Sequence, residues 1–395
     1  MAILSRFLTI LLVCAASALA APAPEPTAAP NLEDALAKRA TTCTFSGTDG
    51  HLSASASKTS CSTIVISDMA VPSGVTLNLE KLKEGTTVIF KGRTTFGYSE
   101  WEGSFISISG NKLTIKGDPG SVLDGQGALW WDGLGGGGGK TKPKFFKANN
   151  LNDSIINGIT ILNAPKNSFS LNRVNNLIVK NILIDDRDGD TLGGHNTDGF
   201  NVNNADGVFI TNVRVYNQDD CMNVNTGRNI VMTNSFCSGS HGLSIGSIAD
   251  GAVVKNVTFE NIVVEKSQQA IRIKTVSGAV ASVSDITYRN IRINGGNVTD
   301  VVDYGIIVDQ SYGGTKNSPT NGVNITNFVL ENVYGSVPSD AVRVQVQCGT
   351  STCTGFRWTN VGITGGKKNH FIAILMLVLY YSKARAIPNY RENTN

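Results

Sequence analysis

The chain has 395 residues, 41% hydrophobic and 16% charged, with 42 glycines against 15 phenylalanines and a formal net charge of +3. That profile argues against a helical protein and for a β-rich, turn-dense one, and the length suits a repeat fold. Residues 1–39 are charge-neutral and the last 27 residues carry +2, so the body, 40–368, is near +1 and offers no global basicity for nucleic acid.

Met1–Ala20 reads as a secretory signal. Arg6 gives the positive start, Phe7–Ala20 the apolar run and Ala18-Leu19-Ala20 the small-residue cleavage site. The run is short of the ~20 residues that a membrane span needs. Residues 21–39 are rich in Pro and Ala and end in the dibasic Lys38-Arg39. They read as a pro-segment, with a plain flexible linker as the alternative. The expected mature protein is secreted and extracellular and starts near Ala40. Of seven cysteines, Cys14 leaves with the signal. Cys43, Cys61, Cys221, Cys237, Cys348 and Cys353 remain, an even number that suggests disulfides in a secreted chain. Sequence alone leaves their connectivity open; nearest-neighbour pairing (43–61, 221–237, 348–353) is the simplest. No C-x-x-C occurs and only four histidines are present, so no metal site is expected.

From about residue 104 one pattern recurs: short β-branched runs separated by Asn, Gly, Asp or Ser. Examples are Asn181-Ile182-Leu183-Ile184, Asn212-Val213-Arg214-Val215, Asn261-Ile262-Val263-Val264 and Asn290-Ile291-Arg292-Ile293. Each alternates with period two, as a strand does. From Asn181 the leading asparagines are spaced by 31, 22, 27, 29 and 42 residues. Imperfect repeats of this length mean a solenoid, propeller or array. No helical-period segment interrupts them, which argues against βαβ units. Each repeat has room for three short strands and irregular corners, not a four-stranded blade. The expected fold class is all-β, a single right-handed parallel β-helix of about ten coils spaced by about 4.8 Å. The corner asparagines either form amide ladders between coils or are ordinary turn formers. The Cys43–Cys61 region is expected to cap the N-terminal end, with a short helix. Gly135–Gly139 lacks a following Gly-Lys-Ser/Thr and reads as a flexible loop. Asn152, Asn256, Asn297 and Asn324 lie in Asn-x-Ser/Thr sequons, candidate surface glycan sites.

Three polar clusters interrupt the repeat: Asn196-Thr197-Asp198-Gly199-Phe200, Gln218-Asp219-Asp220-Cys221 and Ser240-His241-Gly242-Leu243. Asp198 to Asp219 is 21 residues, and Asp220 to His241 is also 21. One coil of that length places Asp198, the Asp219-Asp220 pair and His241 on successive coils of one face, with three carboxylates within roughly 5–10 Å. Like charges so close raise at least one pKa, leaving a proton donor beside ionised carboxylates, and a histidine can tune it. Glycoside hydrolysis needs that set: an acid on the leaving oxygen and a base on a water. Separation beyond ~6.5 Å leaves room for the water and predicts inversion. A lone Asp is usually a turn former and a lone His structural, but three clusters at coil spacing outweigh that reading. Adjacent Asp219 and Asp220 would face opposite sides of a regular strand, so an irregular corner is required. Arg272-Ile273-Lys274 is an i, i+2 pair on one strand face. Its two cations suit an anionic sugar, with the arginine able to grip a carboxylate bidentately.

Asn196-Thr197-Asp198, Gln218-Asp219-Asp220-Cys221, Gly239-Ser240-His241-Gly242-Leu243-Ser244-Ile245-Gly246-Ser247 and Arg272-Ile273-Lys274, in that order, resemble the four signature motifs of the polygalacturonases, glycoside hydrolase family 28. The resemblance covers about residues 40–368, and the dibasic pro-segment is similar to that of fungal endo-acting members. It implies a secreted right-handed parallel β-helix that hydrolyses α-1,4-linked galacturonan of pectin with inversion, in plant cell-wall degradation. Motif by motif, it implies Asp219 as general acid and Asp198 and Asp220 as the groups that activate water. It implies His241 as the group that holds the acid's protonation and contacts substrate. Arg272 and Lys274 would bind a galacturonate carboxylate past the cleavage point. Asn196 and Tyr304, in Asp303-Tyr304-Gly305, would line the groove, and Cys221–Cys237 would brace the catalytic coils. No metal or other cofactor is implied. The partners implied are homogalacturonan and plant inhibitor proteins, for a monomer with no nucleic-acid or membrane partner.

Members of the family commonly end soon after a Thr-Gly-Gly-Lys stretch with a final cysteine pair. Here Thr364-Gly365-Gly366-Lys367 is followed by Lys368-Asn369-His370 and 11 apolar residues, Phe371–Tyr381, with no cysteine after Cys353. Residues 369–395 are therefore expected to be an atypical tail: a retained intron, a frameshift or a mispredicted gene end, with an amphipathic cap as the alternative. The competing functions are an exo-polygalacturonase, a rhamnogalacturonan hydrolase, a pectin lyase, which the clustered acids disfavour, and a non-catalytic pectin-binding β-helix.

Overall fold

A computed structural model describes residues 41–295, 302–367 and 370–372. The signal, the pro-segment, the sequon at Asn297 and most of the C-terminal apolar run lie outside the described residues. Among the described residues, twenty-five strands join into one sheet that winds as a right-handed parallel β-helix. Among the described residues no helix is long and apolar enough to cross a membrane.

One column takes a short stretch of strand from each coil. Its inward residues are Leu77, Ile106, Phe146, Phe169, Phe200, Met222, Leu243, Ile271, Ile306 and Val344, each the register partner of the next. All are buried. The rings of Phe146, Phe169 and Phe200 stack with centroids 5.1 and 5.2 Å apart, close to the spacing of paired strands. His370–Ile372 pairs with Gln345–Gln347 and adds one further rung, so the start of the apolar run continues the stack. Period-two alternation turns the next residue of each strand outward. That gives a polar face of Asn78, Ser107, Lys147, Ser170, Asn201, Asn223, Ser244 and Arg272, and the functional site lies on it.

The other two columns come from one long strand per coil, bent by a single residue. In Asn175–Asp185, Ala205–Tyr216, Gly227–Ser238, Val253–Glu265 and Ala281–Asn294 the bend falls at Asn181, Asn212, Asn234, Asn261 and Asn290, with φ of 51–56°. Asparagine tolerates this left-handed conformation, which β-branched neighbours do not. The same residues form the ladder. Asn212 Nδ2 donates to Asn181 Oδ1 at 2.6 Å, Asn290 to Asn261 at 2.9 Å, and Asn332 to Asn290 at 3.0 Å. The corner asparagines are thus both turn formers and ladder rungs.

The helix Gly50–Ser57 packs its buried face (Gly50, His51, Ala54) against the first strands, and the Cys43–Cys61 disulfide spans it. Cys221 pairs with Cys237 and Cys348 with Cys353, so nearest-neighbour connectivity holds throughout. Asn152 and Asn256 take part in outward amide bonds, to Asn111 at 2.7 Å and Asn229 at 2.8 Å, and Asn324 is exposed.

Candidate active site

Phe200, Met222 and Leu243 are register partners. The positions two residues earlier, Asp198, Asp220 and His241, therefore stack in consecutive coils. Main-chain bonds knit these turns together: Gly199 N–H to Asp220 O at 2.9 Å, Cys221 N–H to Gly242 O at 2.9 Å, and His241 N–H to Asp219 O at 2.7 Å. The turn ahead of Met222 is irregular because Asn217 clamps it. The buried Asn217 Nδ2 donates to the carbonyls of Thr197, Asp219 and Asp220 at 2.9, 3.0 and 3.1 Å. This clamp lets two adjacent aspartates enter one cavity. One oxygen of each and a ring nitrogen of His241 lie within 4.8 Å of one another. Ser240 fixes the next turn, accepting Gly242 N–H at 3.0 Å and bonding Ser267 Oγ at 2.8 Å.

Each carboxylate has its own set of donors. Asp198 accepts from Asn167 Nδ2 at 2.9 Å and Asn223 Nδ2 at 2.7 Å. Asp219 accepts from Asn196 Nδ2 at 2.7 Å on one oxygen and faces His241 Nδ1 at 3.3 Å on the other. Asp220 accepts from Ser244 Oγ at 2.5 Å and from Lys274 Nζ at 2.8 Å, with Arg272 Nη1 at 4.0 Å. A carboxylate–histidine spacing of this kind suits a cation, and here the buried Lys274 ammonium supplies positive charge beside Asp220.

These surroundings divide the protons unevenly. Burial pushes the Asp198 carboxyl well above the usual range, and the charges of Asp219 and Asp220 push it the same way, against Lys274. Burial works on Asp219 too, but the hydrogen bond and charge of His241, with Lys274 and the Asp220 N–H, outweigh it and hold Asp219 well below the usual range. Burial and like charge thus act upward on Asp198, and the partners of Asp219 act downward on it. The directions differ because His241 sits beside Asp219, whereas the side-chain donors on Asp198 are the neutral amides of Asn167 and Asn223.

The expected residues do not all line the cavity. It measures about 360 Å³, and its walls include Asn196, Asp198, Asp219, Asp220, His241, Arg272 and Lys274. Tyr304 opens the strand Tyr304–Tyr312, pairs with Gln269 and Val342, and is not among the lining residues. Tyr312, at the other end of that strand, lines the cavity instead, with Arg272 Cζ and Lys274 Nζ each 5.5 Å from its ring centre. Lys274, expected to meet substrate, is already bonded to Asp220. Asn196, expected on the groove wall, is tied at both ends: its Oδ1 accepts Gly136 N–H at 2.8 Å while its Nδ2 holds Asp219. The five-glycine loop is thus a support for the site. A Cβ on Gly135 would come within 2.2 Å of Asn196 Oδ1, and Lys142, bonded to Asp132 at 2.8 Å, fastens the loop's base. Asn167, Asn217, Asn223 and Tyr312 escaped the sequence reading, and Ser244 stood in the His241 motif without a role. Asn223 and Ser244 carried a signal, since each is the outward neighbour of an inward core residue in its strand.

A family model described as Glycosyl hydrolases family 28 matches residues 61–376. The chain is similar to "Endopolygalacturonase I" of Aspergillus aculeatus, 51% identical over 92% of this chain and 95% of that one. It is also similar to "Endo-polygalacturonase" of Sclerotinia sclerotiorum, 49% identical over 92% and 96% of the two chains. Among solved structures it resembles endopolygalacturonase I from Stereum purpureum complexed with two galacturonate, with 34% identity and a TM-score of 0.72 over 84% of this chain and 97% of that one. A match over this much of the chain, together with 51% identity, means that the chain belongs to glycosyl hydrolases family 28.

Proposed function

We propose that the mature chain is a secreted endo-polygalacturonase that hydrolyses α-1,4-galacturonosidic bonds of homogalacturonan with inversion. The observation that carries this reading is the meeting of Asp198, Asp219, Asp220 and His241 with Arg272 in one cavity. The identity to proteins named endopolygalacturonases supports it.

In this mechanism Asp219 gives its proton to the glycosidic oxygen as the bond to the anomeric carbon breaks. A water attacks that carbon from the opposite face and gives its proton to Asp198, with Asp220 orienting it. Asp198 and Asp220 each have both oxygens held by donors. That fixes their orientation and keeps them from swinging onto carbon. One proton leaves Asp219 and one arrives at Asp198 in each turnover. A further cycle needs Asp198 to release its proton to solvent and Asp219 to take one up. A substrate carboxylate entering beside His241 and Lys274 competes for their charge and raises the proton affinity of Asp219. Arg272, at the cavity wall, grips a carboxylate past the cleavage point. No metal takes part. Residues 40–368 form the catalytic domain, with residues 1–20 as signal and 21–39 as pro-segment. It acts as a monomer outside the cell, glycosylated at exposed sequons such as Asn256 and Asn324, and plant inhibitor proteins are partners.

The test measures reducing ends and viscosity on polygalacturonate with wild type and Asp219→Asn. Wild type is expected to cut viscosity well ahead of reducing-end release, and Asp219→Asn to lose at least a thousandfold in kcat. A folded wild type that releases no reducing ends would defeat the enzyme reading.

A further inference from the structure

Asp186 directly follows the strand Asn175–Asp185, is fully buried, and takes no part in the hydrolytic step. Asp185 is the register partner of Tyr216, so Asp186 and Asn217 open equivalent turns in neighbouring coils. Asn217 clamps its turn with an amide donor. Asp186 stands in the same place with a carboxyl, which donates only when protonated.

The surroundings of Asp186 favour the acid. Its Oδ1 accepts Ala164 N–H at 2.7 Å, while its Oδ2 is buried without a hydrogen-bond partner. Ser168 Oγ, fully buried and facing the same carboxyl, has none either. The charged groups acting on Asp186 are Asp185 and Asp190, both carboxylates, and Arg187 is paired with Asp185. Burial and this like charge push the Asp186 carboxyl well above the usual range, against the bonds from Ala164 and Ser168. A hydroxyl accepts as well as donates, so an Oδ2–H bond to Ser168 Oγ satisfies both atoms without burying a charge.

The partners of Asp186 lead to Asp198. Ala164, Asn167 and Ser168 lie in the turn between the strands Thr160–Leu162 and Phe169–Asn172. From that turn Asn167 Nδ2 donates to Asp198 Oδ1 at 2.9 Å, and Ser168 N–H donates to Asp198 O at 2.8 Å. From the next coil Gln218 Nε2 donates to Asp186 O at 2.7 Å, and its Oε1 accepts from Thr197 Oγ1 at 2.9 Å, beside Asp198. Asp186 itself does not line the cavity.

We propose that Asp186 works as a buried carboxylic acid, donating through Oδ2 to Ser168 Oγ, and that it positions Asp198 by fixing the turn that carries Asn167. The proposal rests on the hydrolase reading, in which Asp198 accepts the water's proton, and adds a positioning residue to it.

The test measures kinetics on polygalacturonate and thermal melts from pH 4 to 8 for wild type, Asp186→Asn, Asp186→Ala and Ser168→Ala. Asp186→Asn keeps a donor in place of Oδ2–H and should retain kcat within about threefold. Asp186→Ala should lose about tenfold in kcat, with KM changed less than threefold. Its loosened Asn167 no longer favours the ionised form of Asp198, on which Asp219, Asp220 and Lys274 act as before. The acidic limb of kcat/KM should therefore move to higher pH in Asp186→Ala and stay in place in Asp186→Asn. A merely structural role would lower the active fraction and leave the limb unmoved. The melts test the proton by themselves. A raised carboxyl gives a stability that is complete below about pH 4 and is lost as pH rises, whereas asparagine does not titrate. The Tm of Asp186→Asn should thus gain on wild type by about 2 °C or more between pH 4 and pH 8. A constant Tm difference, or an Asp186→Asn as slow as Asp186→Ala, overturns the acid. An Asp186→Ala with wild-type kcat and an unmoved limb overturns the positioning role. If Asp186→Ala fails to fold, Ser168→Ala decides in its place: a limb moved to higher pH supports the role, and an unmoved one overturns it. A folded wild type that releases no reducing ends defeats the hydrolase reading, and the melts still decide whether Asp186 carries a proton.

Discussion

Asn196 holds Asp219, its Nδ2 lying 2.7 Å from Asp219 Oδ2. The amide that the motif assigns to the groove wall thus bonds Asp219, the proposed acid, and Gly136 N–H fixes which way it faces. Asn196→Ala is expected to lower kcat on polygalacturonate about tenfold or more, as for a lost bond to a charged group, with KM changed less than threefold. Steady-state kinetics decide this: a raised KM with kcat intact would return Asn196 to substrate binding.

Lys274 offsets the rise of the Asp198 pKa. Lys274→Met removes that charge and pushes Asp198 higher still. Asp198 must be ionised to accept the water's proton, so the acidic limb of the kcat/KM profile should move to higher pH. Breaking the buried Lys274–Asp220 pair should also destabilise the fold by about 3 kcal/mol. An acidic limb that stays in place would rule out Asp198 as the group titrating there.

Stability should peak in mildly acidic solution. Burial raises Asp186 and Asp198 well above the usual range. The folded chain therefore binds protons that the unfolded chain releases. Their contribution is complete below about pH 4 and is lost as pH rises through the folded values. Burial works against Asp132, yet bonds from Lys142, Lys140 and Leu134 bring it down to about 2. Asp185 and Asp219 are lowered as well. Those contributions are present above about pH 4 and fade as pH falls through the folded values. Calorimetry from pH 2 to 8 should show Tm rising from pH 8 toward about pH 4 and falling below about pH 3. A Tm highest at pH 8 would contradict the assigned shifts.

Asn217→Asp replaces the Nδ2 donor with an oxygen that faces three carbonyls. Destabilisation of about 1–3 kcal/mol is expected from orphaned buried groups. The kcat should fall more than stability alone explains, because Asp219 and Asp220 lose their shared turn. Denaturant melts and kinetics on the same preparation check both, and a wild-type kcat would show that the turn holds without its clamp.

Replacing Cys221 and Cys237 together by serine should cost about 2–5 kcal/mol. The Tm should drop while the folded fraction keeps measurable activity, since Cys221 precedes the strand and touches no reacting group. Activity insensitive to EDTA in wild type is expected alongside, and a loss restored by added Ca²⁺ or Zn²⁺ would overturn the metal-free reading.

The coil stack was legible because inward residues repeat with period two and polar clusters return at coil length. That register brought Asp198, Asp220 and His241 together. The partners of those groups were less legible. Asn167, Asn217 and Asn223 look like any turn asparagine until neighbouring coils are stacked. Tyr304 and Tyr312 share one strand, and Tyr312, beyond a register shift between Lys274 and Val276, is the one beside the cations. The proton distribution depends on which side of the cluster His241 occupies, and spacing alone carries no such information.

The bend asparagines are 22 to 42 residues apart, yet their φ values agree within a few degrees. The column works as a ruler whose marks fix the phase of each coil and leave the length between marks free. Losing one residue inside a long strand would shift a mark and turn a buried stripe outward. Losing or gaining several in the loops between marks would reshape only the walls of the groove. Sequence drift can thus rework which polysaccharide the walls accept while every catalytic carboxylate stays at its post.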